Sequence, residues 1–201
     1  MKRILLLFLI HLFFISLSFP QVPYKIEEGS VMTISGTSTI HDWTSKVNEI
    51  KGEYIFKKVI MDKKFPKSGS IVERIRLLVP VLSIESPRGA TMDNKTYNAL
   101  KSEEHPNLIF EVKEDNIENI IDASEEKFLM KVTGNLTLAG NTKEINLSLE
   151  GQRLATGQIE FKGSYPIDMI EYDIEPPTAM FGQIKTGKDV TIDFDLILSE
   201  Q

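Results

Sequence analysis

Alternation of apolar and polar positions dominates this chain, and it is clearest near the C-terminus. There, every second residue from Val190 to Leu198 is apolar, and three of the four residues between them are polar. A period of two residues predicts a β-strand with one buried and one solvated face. Similar patterns elsewhere bring the number of predicted strands to about eight. The other predicted strands are 32–36, 52–59, 71–84, 108–112, 128–138, 145–149 and 158–165.

Turn-forming residues separate most of these strands. Gly140 and Asn141, for example, begin the link between strands 128–138 and 145–149. Short links of this composition favour antiparallel pairing of neighbouring strands. The topology we expect is therefore a meander.

Two segments depart from the alternation. From Asp93 to Glu104 the apolar residues are spaced for one face of a short helix, with Asp93 as the expected N-cap. Between residues 169 and 182, the pair Pro176-Pro177 disfavours both a helix interior and a central strand. We expect this proline-rich stretch to be an ordered loop across one end of the fold.

The strand pattern predicts an all-β fold, namely an eight-stranded antiparallel up-and-down barrel of lipocalin-like type with one short helix. Closure into a barrel leaves no unpaired strand edge. The alternative, a two-sheet sandwich, keeps unpaired edges on both sheets. A barrel of this size is either filled by side chains or holds one slender ligand. Apolar residues are expected to line it, and any ligand would then be apolar. The predicted lining residues are Ile34, Trp43, Phe56, Leu77, Val79, Leu108, Phe110, Leu136, Leu138, Leu147, Phe161 and Phe194.

The N-terminus indicates export. Lys2 and Arg3 precede an apolar run that is shorter than the roughly 20 residues needed to cross a bilayer. Residues 1–18 are therefore interpreted as a signal peptide cleaved after Ser18, and residues 19–201 as one barrel domain. The expected location is periplasmic or secreted, with no integral membrane span after cleavage.

Composition narrows the function further. The net charge of −6 and the lack of a basic stripe argue against binding to nucleic acid. The chain has no cysteine, which excludes disulfides and a thiol nucleophile. The oligomeric state is left open by the sequence.

Candidate catalytic chemistry is sparse. Beyond the signal peptide only His41 and His105 remain, and neither lies in an HxH or HExxH pattern. No GxSxG elbow is present. We therefore expect no catalytic residue, no metal and no enzyme, with His41 in loop hydrogen bonds and Trp43 plugging a barrel end or stacking at its mouth. The alternatives left open are a structural or adhesive barrel with a filled core and a metal-dependent enzyme using both histidines.

Four segments together resemble the YceI family of periplasmic, lipocalin-like, polyisoprenoid-binding proteins. They cover nearly all of the chain beyond the signal peptide, in this order: Ser35–Thr44 (SGTSTIHDWT), Met92–Phe110 (MDNKTYNALKSEEHPNLIF), Gly134–Lys143 (GNLTLAGNTK) and Pro176–Gly182 (PPTAMFG). The resemblance implies a long apolar tunnel for an isoprenoid chain, with a helix and loops near its mouth. It also implies storage, transport or sequestration of an isoprenoid lipid rather than catalysis. No cofactor is expected beyond a bound polyisoprenoid or isoprenoid quinone.

Overall fold

A computed structural model describes residues 21–57, 68–119 and 127–201. The predicted signal peptide lies outside these residues, as does the end of the predicted strand 52–59. Within the described residues the chain forms twelve strands and one α-helix. The strands are β1 (Gln21–Ile26), β2 (Val31–Ser38), β3 (Trp43–Val47), β4 (Lys51–Lys57), β5 (Val72–Pro80), β6 (Ile84–Glu85), β7 (Asn107–Asn119), β8 (Lys127–Leu138), β9 (Asn141–Arg153), β10 (Ile159–Asp168), β11 (Thr178–Ala179) and β12 (Ile184–Glu200). The helix is α1 (Ala90–Ala99).

The sheet closes into the predicted eight-position antiparallel barrel. Strands β1 and β2 both pair antiparallel with β12, so together they form one interrupted wall position. Strands β3 and β4 lie end to end and share the next wall position, because β3 pairs with β2 and β4 pairs with β1. Strands β5 and β6 share the position after that, because β5 pairs with β4 and β6 pairs with β3. Strands β7, β8, β9, β10 and β12 complete the ring in chain order. The up-and-down topology is therefore confirmed.

The barrel has two ends of different composition. At one, which we call the aromatic end, the rings of Tyr24, Phe56, Phe128 and Phe161 pack together with centroid separations of 5.1 to 6.0 Å. Phe56 and Phe128 are fully buried there. At the other, which we call the mouth end, the β2–β3 turn, α1 and the β10–β12 connection surround the opening. The lumen runs between these ends.

Inward-facing glycines make room for large rings inside the barrel. A Cβ atom on Gly151 would lie 2.1 Å from the Phe128 ring, and one on Gly163 would lie 2.5 Å from the ring of Phe194. Both distances are too short for contacts between non-bonded carbon atoms, so these positions require glycine. The aromatic rings can therefore fold over the opposing strand.

The structure corrects two local predictions. The helix begins at Ala90 with Gly89 as N-cap, not at Asp93, and it ends at Ala99 rather than Glu104. Asp93 lies inside the helix, and its carboxylate accepts a hydrogen bond of 2.7 Å from the backbone N–H of Ser86. The aspartate thus stabilises the loop that enters the helix. Strands β1 and β3 were not predicted, because Pro23 interrupts β1 and the polar Ser45 occupies the central inward position of β3.

The proline-rich stretch is ordered, as predicted, but it is not loop throughout. A 3-10 helix covers Met169–Tyr172, and β11 pairs with the start of β12. Asn141 fastens the 3-10 helix by donating to the carbonyl of Tyr172 at 2.8 Å. Among the described residues, no helix has the length and apolar character needed to cross a membrane.

Candidate functional site: a barrel lumen in two chambers

The lumen contains an apolar cavity of about 140 Å³, which we call the inner chamber. Phe56 and Phe161 bound it at the aromatic end, and Leu108 and Leu138 bound it toward the mouth. All of its lining side chains are aliphatic, aromatic or methionine. Most of its wall comes from alternate residues of the strands, because successive side chains in a strand point to opposite faces.

A second cavity of about 170 Å³, the mouth chamber, lies between the inner chamber and the mouth end. It shares Ile34, Leu108, Leu138 and Ile192 with the inner chamber, so the two cavities are neighbours. Its wall also includes Ile40, which is exposed to solvent. Unlike the inner chamber, it carries hydroxyl and basic side chains among its apolar ones.

The structure brings the sequence-predicted lining residues together. Eleven of the twelve line the inner chamber. The exception is Trp43, which lines the mouth chamber instead. Its indole ring covers Gly36 on β2, where an added Cβ would lie 2.7 Å from the ring, and its Nε1 donates to the Thr37 carbonyl at 3.0 Å. Trp43 is thus placed at the mouth. Whether these twelve residues contact a ligand stays a prediction.

Helix α1 supplies one wall of the mouth chamber that the strand pattern did not indicate. Met92, Lys95, Thr96 and Ala99 line the chamber, at the spacing of one helix face. The Lys95 Nζ donates a hydrogen bond of 2.5 Å to the carbonyl of Thr178 in β11. This contact joins α1 to the proline-rich stretch across the opening. The helical spacing was visible in the sequence, but the face that turns toward the barrel was not.

The histidines occupy separate places in turns. The Nδ1 of His41 lies 2.7 Å from the carbonyl oxygen of Asp42, and the backbone of His41 is bonded to Ser38. His105 lies against Gly140 of the β8–β9 turn, where a Cβ would come within 2.4 Å of its Nε2. Within residues 21–57, 68–119 and 127–201, no group of three His, Asp, Glu or Cys side chains is close enough to hold a metal. His41 also lines the mouth chamber.

The inner chamber holds two phenols, and both favour the neutral form. Burial raises the pKa of the Tyr54 and Tyr165 hydroxyls above their usual range. Tyr54 further donates a hydrogen bond of 3.0 Å to the carbonyl of Lys51. Among the described residues that line this chamber, none carries a charged side chain. The site is therefore suited to binding an apolar molecule by exclusion of water rather than to polarising one.

The fold is that of closed eight-stranded antiparallel barrels, whose interior is either filled by side chains or just wide enough for one small ligand. Residues 24–198 match the sequence model of the YceI-like domain. The chain belongs to the YceI-like family. The match covers most of the described residues, so the resemblance found in the four motifs is confirmed.

Solved structures with the same fold include three bacterial proteins, all distant in sequence. BcnA of Burkholderia cenocepacia has a TM-score of 0.60 at 15% identity, with 86% of this chain and 99% of that chain covered. A polyisoprenoid binding domain from Saccharophagus degradans, implicated in plant cell wall breakdown, has a TM-score of 0.64 at 15% identity and coverage of 90% and 99%. The YceI protein of Campylobacter jejuni has a TM-score of 0.55 at 17% identity and coverage of 78% and 84%. A search of curated proteins finds no match.

Proposed function

We propose that this protein binds a long apolar lipid, an isoprenoid chain, inside its barrel, and stores or carries it without changing it chemically. The observation that carries the proposal is the inner chamber, a cavity walled almost wholly by hydrocarbon. An apolar cavity of about 150 Å³ stays dry and takes up an apolar guest such as benzene. The twelve predicted lining residues are the proposed ligand contacts.

The unfilled lumen favours this function over the structural or adhesive alternative, which requires a packed core. The name of the Saccharophagus domain lends support through the shared fold. A carrier of water-insoluble lipid fits the exported, periplasmic or secreted location that the N-terminal pattern predicts. An isoprenoid quinone is one lipid with a suitable chain.

Cavity size sets an expectation for affinity. Each buried methylene of a ligand contributes about 0.8 kcal/mol, so affinity should rise steeply with chain length. Each chamber is about the size of a single-ring guest. The rise should therefore level off once a few isoprene units fill both chambers, unless side chains at the aromatic end move aside.

Titration with prenyl alcohols of increasing length tests the proposal on protein stripped of lipid. We expect the dissociation constant to fall by tenfold or more per added isoprene unit and then to level off. Mass spectrometry of an organic extract of the protein from its native host would identify the natural lipid. Equal affinity for short and long alcohols would contradict binding of the chain in the lumen.

A further inference from the structure

Three large apolar side chains are exposed to solvent on two adjoining turns of the mouth end, and we call them the apolar tip. Ile40 belongs to the β2–β3 turn, while Met180 and Phe181 lie in the loop between β11 and β12. The two turns are joined, because the backbone N–H of Thr39 donates to the carbonyl of Lys185 at 3.0 Å. Phe181 is exposed over its whole surface. Neighbouring exposed apolar side chains mark a contact surface, whereas a single one does not.

The backbone of the β11–β12 loop is unfavourable for the residues that it carries. Met180 and Phe181 are the central residues of a turn, and both have positive φ. Turns of this kind strongly prefer Asn-Gly at the two central positions, because side chains beyond Cβ add nothing to the turn and disfavour its conformation. Since Met180 and Phe181 are also exposed, they contribute little to the core. The fold therefore gives these two side chains no role of their own.

The loop is nevertheless suited to apolar surroundings. Residues 176–184 carry no charged side chain. Within the loop, the backbone N–H of Gly182 donates to the Ala179 carbonyl at 3.1 Å, and that of Gln183 donates to the Met180 carbonyl at 3.2 Å. A backbone N–H without a partner is costly in hydrocarbon. These internal hydrogen bonds therefore lower the cost of placing the loop among lipid chains.

The apolar tip borders the opening of the mouth chamber. Ile40 is both exposed and part of the chamber wall. Pro177, Thr178 and Ala179, which directly precede Met180, line the same chamber. Apolar surface therefore continues from the lumen, past the rim, to the tip.

We propose that the apolar tip docks the barrel on the surface of a phospholipid bilayer, with Met180 and Phe181 inserted among the acyl chains. The inference rests on the proposed function, because an isoprenoid lipid is insoluble in water and has to be drawn from a membrane. Docking places the mouth chamber against the bilayer, so the lipid chain moves between membrane and lumen without crossing water. Burial of apolar side chains supplies the driving force.

The small size and the balanced charge of this surface favour a bilayer over a protein partner. A stable protein interface buries about 800 Å² on each partner, which is more than three side chains on exposed turns offer. A bilayer gains free energy from each inserted side chain separately. The charged residues that flank the loop are Glu175 and Lys185, which have opposite signs. Docking is therefore expected to depend on apolar contact rather than on anionic lipid.

Binding to vesicles tests the proposal. Lipid-free protein is mixed with phosphatidylcholine vesicles, and the bound fraction is measured by flotation. We expect binding to persist when salt is raised from about 0.1 M to about 1 M, because screening removes only electrostatic attraction. Addition of phosphatidylglycerol to the vesicles should change the affinity by less than about threefold.

A double variant, Met180→Asn with Phe181→Gly, separates docking from folding. Because Asn-Gly is the pair that the turn prefers, the variant should be as stable as the wild-type protein or more so. The lipid concentration for half-maximal binding should rise about tenfold or more, since both inserted side chains are lost. The matched control is Val31→Thr, which changes an exposed apolar residue at the end of β2 farthest from the β2–β3 turn. It should leave vesicle binding unchanged.

A single-site label reports whether the loop enters the bilayer. The chain contains no cysteine, so Phe181→Cys carrying a nitrobenzoxadiazole fluorophore marks this loop alone. On addition of vesicles, its emission should shift to shorter wavelength and be quenched by lipid with a nitroxide on the acyl chain. The same label on Val31→Cys should show neither change.

Failure of docking and failure of the carrier are distinguishable, because affinity for geranylgeraniol is measured without vesicles. Normal affinity for geranylgeraniol with no binding to phosphatidylcholine vesicles would overturn the docking surface and leave the proposed function intact. Vesicle binding that requires phosphatidylglycerol, or that survives the double variant, would overturn the apolar tip as the contact. If the double variant lost self-association instead, the tip would belong to an interface with a second copy of this chain, and the proposal would be wrong. Absence of geranylgeraniol binding by the wild-type protein would overturn the proposed function itself.

Discussion

The aromatic end and the mouth end of the barrel belong to the same sheet but differ in how closely their side chains pack. At the aromatic end, rings and inward glycines interlock, and the core there includes several side chains with no exposed surface. At the mouth end, a helix, a 3-10 helix and short turns meet, and Leu82, Met180 and Phe181 are exposed to solvent. We therefore expect the aromatic end to contribute more to stability, and the proposed ligand to enter at the mouth end.

The loop chemistry of the two ends supports this division. The buried Asp115 of β7 accepts hydrogen bonds from the backbone N–H groups of Ile71 and Val72, and from Ser70 Oγ at 2.7 Å. It thus secures the start of β5 near the aromatic end. At the mouth end, Met180 and Phe181 take left-handed backbone conformations with φ of 51° and 54°. Such conformations are costly for residues with side chains.

The largest expected effect comes from deleting a ring at the aromatic end. Phe56→Ala should lower the free energy of unfolding by about 3–5 kcal/mol, because the ring is fully buried and stacks on Phe161. Urea denaturation measures the change. Phe181→Ala at the exposed mouth end is the matched control and should change stability by less than about 0.5 kcal/mol. Similar losses in both variants would remove the contrast between the ends.

Next in size is the loss of the buried carboxylate. Asp115→Ala should destabilise the protein by about 2–3 kcal/mol, since it leaves two buried backbone N–H groups without acceptors. The exposed Asp193, on the outer face of β12, provides a control substitution to Ala with little expected effect. If Asp115→Ala unfolded at the wild-type urea concentration, the carboxylate would not be securing β5.

At the boundary between the chambers, Leu138→Trp should separate ligand binding from folding. Leu138 lines both cavities, so a larger apolar side chain fills the lumen at a cost of about 1–3 kcal/mol from overpacking. Affinity for a prenyl alcohol should fall tenfold or more while the circular dichroism spectrum stays native. Leu82→Trp, at an exposed position, is the control. A folded Leu138→Trp protein with full lipid occupancy would argue against a ligand in the lumen.

The smallest effect concerns alkaline pH at the mouth end. Burial, followed by the influence of Tyr165 and Glu171, raises the pKa of Tyr172 from 10.0 to about 12. Between these values the unfolded state loses the phenol proton while the folded state keeps it, so the free energy of unfolding falls as pH rises. Tyr172→Phe should make that fall less steep in denaturation curves collected from pH 9 to 12. An unchanged slope would show that Tyr172 ionises alike in both states.

The amino-acid sequence by itself determined the wall of the barrel. Side chains in a strand alternate strictly between two faces, so the pattern around Leu136 and Leu147 indicates which residues face inward without any long-range information. Gly140 and similar turn residues likewise indicate the meander. For this reason eleven of twelve predicted lining residues line the inner chamber.

Only the tertiary structure decided the mouth chamber. Its wall joins the β2–β3 turn, one face of α1 and the residues around β11, and the contact between Lys95 and Thr178 spans 83 residues of chain. The local pattern of apolar and polar residues does not predict such contacts, because they depend on where closure of the barrel places each loop. Ser45 is likewise an ordinary polar residue in the sequence. It becomes a buried, inward-facing hydroxyl only because β3 pairs with β2 in one particular register.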